Sequence, residues 1–157
     1  MLIRELEVQR VATFNNIPSD ELFQVWVEKA LSEYHKNAEI VIRIVDIKEI
    51  TELNIQYRLK EGATNILSFP FDAPEGVEGI NLLGDLVVCA KVLEQEAQAQ
   101  QKLLNNHWAH IIIHGVLHLL GYDHINDKDA LEMESKEIFI LQQLDIENPY
   151  QEIETNG

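Results

Sequence analysis

The chain has 157 residues, 12 Lys and Arg against 27 Asp and Glu, a net charge of −15 and one cysteine. That length fits a single domain spanning 1–157, able to bury roughly 70% of its unfolded surface without help from disulfides. One cysteine excludes an intrachain disulfide and fits a reducing cytoplasm. No apolar run approaches the ~18 residues of a membrane span, so no membrane partner is expected, and Met1–Glu7 lacks a signal-peptide apolar core.

Acidity on this scale argues against a protein that coats nucleic acid, which usually carries a basic footprint. The charge is uneven, however. Residues 123–157 hold ten acids and two bases, whereas 40–60 hold Arg43, Lys48, Arg58 and Lys60 against Asp46, Glu49 and Glu52. A polyanion is expected to approach over 40–60 and to avoid the C-terminal stretch, with weak, local binding.

In chain order, 3–12 reads as a strand with Leu6 and Val8 on one face. Ser19 is a suitable N-cap for a helix to about Tyr34, with Asp20 and Glu21 at the positive end of its dipole. Leu22, Phe23, Trp26, Val27, Ala30 and Leu31 recur at helical spacing and form a core stripe. Residues 39–46 alternate as a strand whose second face is also mostly apolar, which places it inside the sheet. Asp46 and Glu49 form the pattern of a capping box for a helix to about Leu59, and Arg58 at its last turn suits the dipole there. A short strand over 64–71 ends at Pro70. Residues 73–81 read as a loop, and a strand over 82–89 contains Asp85 and a buried Cys89. Asp85 interrupts an apolar run, either to bond a loop backbone or to act as an acceptor behind a metal site. A helix over 90–102 presents a solvated face.

The next helix, about 106–120, is apolar nearly all round, as a buried helix is, apart from a stripe of His107, His110, His114 and His118. His114 and His118 lie one turn apart on one face. Gly121 can stop the helix in the left-handed conformation and let the chain bring His124 back. The spacing H-x-x-x-H-x-x-G-x-x-H thus offers three imidazoles and one open position, the arrangement of a catalytic zinc site. His110 lies about 12 Å along the axis from His118, and is expected in the core or behind the ligands. Zinc peptidases of the H-E-x-x-H type carry a glutamate base after the first histidine; here that position is Gly115, read as a packing choice and also as avoiding a carboxylate beside an incoming phosphodiester. A last helix from Asn126 or Asp127 to about Leu144 would pack Leu131, Ile138, Leu141 and Leu144 inward, leaving 148–157 as a loose tail.

The stretch His114–His124 resembles the signature of the YbeY family, bacterial metal-dependent endoribonucleases acting in ribosomal RNA maturation. Asn54-Ile55-Gln56-Tyr57-Arg58 with Thr64-Asn65-Ile66-Leu67-Ser68-Phe69-Pro70 is similar to a second family segment, and Leu83-Gly84-Asp85-Leu86 to a third. The likeness runs from about 39 to 145. It implies an α+β, zincin-like fold: one mixed sheet of about four strands, helices packed on it, and a central buried helix carrying the ligands. It also implies cleavage of single-stranded RNA in the cytoplasm, in ribosomal RNA processing and ribosome quality control. Ribosomal RNA and ribosome-associated proteins are the implied partners, and no DNA is expected. His114, His118 and His124 would hold one Zn2+ per chain, with nickel or another imidazole-binding ion as alternatives. His114 and Arg58 would be catalytic, and Arg58, Ser68 and Asp85 would meet the substrate. Such an ion polarises a phosphoryl oxygen and lowers the pKa of water toward about 7, and a guanidinium fork suits phosphate. Two other functions share these features: a non-enzymatic, metal-stabilised ribosome-assembly factor, and a metallopeptidase, which the missing glutamate disfavours.

Overall fold

A computed structural model describes residues 4–11, 14–58, 61–72, 76, 79–123 and 126–150. Within them the elements run β1 Arg4–Arg10, α1 Asp20–Ala30, β2 Ala38–Val45, α2 Ile47–Arg58, β3 Ile66–Pro70, β4 Leu82–Cys89, α3 Ala90–Ala99, α4 Leu104–Leu119 and α5 Asp127–Gln143. This is the expected order of strands and helices. The sheet runs β1-β2-β4-β3. β1, β2 and β4 are mutually parallel, and β3 is antiparallel to β4, so the sheet is mixed and the fold is α+β. β2 sits inside it, as its two apolar faces require.

The two sheet faces are covered unequally. On one, Ile40, Ile42, Ile44, Ile66, Leu86 and Val88 pack with residues of α1, α4 and α5; Phe23 meets Trp108 edge-on at 5.6 Å. On the other, Val45, Leu67, Val87 and Cys89 form a smaller cluster with Ile50 of α2. Gly84 allows the strands to close up: its φ is +151°, and a Cβ there would lie 2.3 Å from the Phe69 carbonyl oxygen.

Several local expectations shift. α1 ends at Ala30, capped by Leu31, rather than near Tyr34; its N-cap Ser19 does accept from the Leu22 amide. Asp46 accepts from the Glu49 amide, but the Glu49 carboxylate does not close a capping box. It takes Arg43 instead, at 2.8 and 3.2 Å, because a guanidinium on the adjacent strand offers two charged donors. α5 is capped by Asn126 but buries Met133, Glu137, Ile140 and Leu141, leaving Leu131 65% exposed. Residues 148–150 are not a loose tail: the Tyr150 hydroxyl donates to Glu137, and Lys102 Nζ donates to the Pro149 carbonyl at 3.1 Å.

Candidate metal centre

α4 is the central element of the site. Eleven of its sixteen residues are buried, which fixes its rotation and so the direction of every side chain on it. Gly115 sets how near it comes to the sheet. A Cβ at that position would sit 2.7 Å from Ile66 Cδ1 and 2.9 Å from Leu86 Cδ2. The glycine faces the sheet, so close packing is one reason for it, as expected. The C-terminus of α4 is a Schellman motif: the Tyr122 amide donates to the Leu117 carbonyl and the Gly121 amide to that of His118, both at 3.0 Å, with Gly121 at φ +102°. The helix therefore stops where the glycine in the sequence placed the stop.

His114 and His118 are half-buried, and their Nε2 atoms converge to 3.1 Å. Two nitrogens bound tetrahedrally to one ion at about 2.0–2.1 Å would stand about 3.3 Å apart, so the pair is spaced for a shared ion. The third expected ligand, His124, lies outside the described residues.

Behind the pair is a residue that the sequence reading missed. Glu137, 0% exposed, accepts from His114 Nδ1 and from the Tyr150 hydroxyl, and its Oε2 lies 3.4 Å from His110 Nε2. Burial alone would raise the pKa of this carboxyl. The hydrogen bonds from His110, His114 and Tyr150 outweigh burial and hold it down at about 2. An ionised carboxylate can only accept, so His114 carries a proton on Nδ1, and in the neutral ring this leaves the lone pair on Nε2, the atom that faces His118. That is the tautomer a metal requires, and carboxylates commonly fix it this way. Burial pushes the His110 pKa down and, with Glu137 beside it, pushes that of Tyr150 up. His110 is thus a buried histidine beside Glu137, one turn before His114. The missed signal was phase: Met133, Glu137, Ile140, Leu141 and Leu144 share one helical stripe, and a lone carboxylate inside an apolar stripe asks for buried partners.

In front of the pair opens a cleft of about 510 Å³, lined by Arg58, Thr64, Asn65, Ile66, Ser68, Pro70, His114, His118, Gly121, Tyr122 and Asp123. It thus brings Arg58 and Ser68 to the two histidines. Arg58, at the end of α2, is exposed and has no ion-pair partner among the described residues. Ser68 Oγ lies 3.5 Å from the Gly115 carbonyl oxygen. Asp85 is not brought there. It alternates with Leu86, which faces α4, and pairs in register with Val41 and Phe69. It is therefore on the other face of the sheet and largely exposed, where partial loss of solvation and the neighbouring charge of Glu7 raise its pKa. Strand alternation thus removes Asp85 from the cleft, both as a substrate contact and as an acceptor behind the ligands.

Comparisons with known proteins agree with this architecture. A family model described as Endoribonuclease YbeY matches residues 7–145. The chain is 52% identical over 151 residues to the Endoribonuclease YbeY of Colwellia psychrerythraea, covering 94% of this chain and 97% of that one. It is similar in fold to the solution structure of TM1509 from Thermotoga maritima, with a TM-score of 0.54 and 22% identity over 96% of this chain and 99% of that chain.

Proposed function

Because this chain belongs to the Endoribonuclease YbeY family, we propose that it is a metal-dependent endoribonuclease cutting single-stranded RNA, with ribosomal RNA as its substrate in the cytoplasm. The observation that carries this reading is one cleft holding two convergent imidazole nitrogens and an arginine without a carboxylate partner among the described residues. The arrangement is zincin-like: a buried helix presents its histidines beside the edge strand β3. His114, His118 and His124 would hold one divalent ion, with zinc the first choice for imidazole donors and nickel an alternative. When bound, the ion supplies Lewis acidity at a phosphoryl oxygen.

The chain's own residues then have distinct tasks. Glu137 keeps the His114 proton on Nδ1. Arg58 offers a planar donor fork to the phosphate and to the charge that grows on it during cleavage. Ser68 adds a hydroxyl on the β3 wall. The open cleft admits a flexible single strand, and the acids of α5 and the following stretch turn a polyanion away from the far side.

The test joins metal analysis to cleavage of a defined single-stranded RNA. One divalent ion per chain is expected, lost in His118→Ala. Arg58→Ala should keep fold and metal but cut about 10²–10³-fold more slowly, with Arg58→Lys recovering only part. Full metal retention in His118→Ala, or wild-type cleavage by Arg58→Ala, would overturn the assignment.

A further inference from the structure

We infer that Asn65 is the residue that reads the sugar of the substrate, its side-chain oxygen accepting a hydrogen bond from a ribose 2′-hydroxyl. This rests on the RNA reading of the same cleft.

Asn65 stands just before β3 and lines the cleft with Arg58 and the histidine pair. Its backbone is anchored, the Cys89 amide donating to its carbonyl at 2.9 Å. Its Nδ2 is bound to both oxygens of Glu96 on α3, at 3.2 and 3.3 Å. Glu96 in turn accepts from His107 Nε2 at 3.0 Å, and His107 is buried in α4 at 3% exposure. Burial alone would raise the Glu96 pKa, but the bonds from His107 and Asn65 bring it below its ordinary value.

This chain of contacts settles which way the amide faces. An ionised carboxylate has no proton to give, so only the NH2 arm of Asn65 can meet Glu96. The oxygen arm points away from it. Among the described residues Oδ1 has no protein donor, and it is not one of the buried orphaned atoms, so it is open to solvent. Beside the Asp123 carboxylate and the Ser68 and Thr64 hydroxyls that also line the cleft, Asn65 thus contributes a neutral acceptor whose orientation is fixed from behind.

A phosphate offers only acceptors and belongs to Arg58. What can meet Asn65 Oδ1 is a donor close to that phosphate. On RNA the nearest is the 2′-hydroxyl of the same nucleotide, present whatever the base, and the group by which RNA is told from DNA. Glu96 and His107 are positioning residues: they act by preventing the amide from turning over.

The test is competition. A fluorescent single-stranded RNA is bound to the full-length protein, and unlabelled oligonucleotides of one sequence, with ribose or 2′-deoxyribose, displace it; the bound fraction is read by anisotropy. The wild type should prefer ribose by about 3- to 10-fold, the size of one neutral hydrogen bond. Asn65→Ala should lose that preference by weakening ribose binding alone, with an unchanged melting temperature. Glu96→Gln, which can both donate and accept, should lose part of it while Asn65 is intact. Equal weakening of ribose and deoxyribose binding in Asn65→Ala, or a preference that survives it, would overturn the assignment. So would a loss that follows the cytosine or adenine content of the competitor, since the acceptor would then read base amino groups. If the wild type neither binds nor cleaves any single-stranded RNA, the RNA reading itself fails and takes this one with it. The other three outcomes leave it standing.

Discussion

Glu137 occupies a position where α5 would otherwise bury an aliphatic side chain, and its cost is offset only because three donors meet it. Glu137→Gln keeps the shape and removes the charge. Metal affinity, measured against a chromophoric chelator, is expected to fall about 10- to 100-fold. Tyr150→Phe, which retains the ring against His110 at 5.3 Å but loses the hydroxyl, should fall less. Unchanged affinity in both variants would reduce the cluster to core packing. The same carboxylate sets an acid limit. Its folded pKa, at about 2, lies below the ordinary 4.5. Its stabilising contribution is therefore complete above about pH 4.5 and disappears as pH falls toward 2. Thermal melts of metal-free wild type and Glu137→Gln should differ at pH 6 and converge over that window. A gap that stays constant from pH 6 to 2 would refute the linkage.

At the scale of elements, α4 against β3 and β4 decides where the histidines stand. Alanine at 115 gains about 1 kcal/mol of helix propensity but must displace Ile66 and Leu86, at about 1–3 kcal/mol. Gly115→Ala should therefore be neutral to mildly destabilised. Gly115→Gln and Gly115→Glu should both melt much lower and by similar amounts; a glutamine variant near wild type beside a damaged glutamate variant would show that charge matters there more than space. Most of this layer was legible beforehand. Alternation gave β2 its interior place, the apolar surround gave α4 its burial, and Gly121 marked its end. What escaped depends on distant chain segments meeting. Leu131 has the right residue type for the core, but α5 is rotated so that Met133 and Ile140 enter instead. Tyr150 follows a polar stretch, and nothing local says that its hydroxyl ends on Glu137, 13 residues back. Asp85 was judged by its interruption of an apolar run and by its family motif, whereas strand alternation decides which face it takes.

Across the whole molecule, the charge of −15 leaves few cations to meet RNA. Arg43 is already paired with Glu49, so one or two phosphate contacts are expected near Arg58. With about 0.7 of a counterion released per contact on a single strand, log Kd should change with log salt at a slope of about 0.7–1.4. A slope above about 3 would reveal a wider basic track than the cleft provides. The unequal covering of the sheet has a further effect. α2, which carries Arg58, buries only Ile50 and Asn54, while α4 buries eleven residues. Free energies of local opening follow such differences, so amide protons of α2 should exchange well before those of α4. The two halves of the cleft then belong to separate cooperative units. Mild denaturant should produce a species that still holds the histidine pair in place yet has let go of the guanidinium, and equal protection of the two helices would show instead that they open as one.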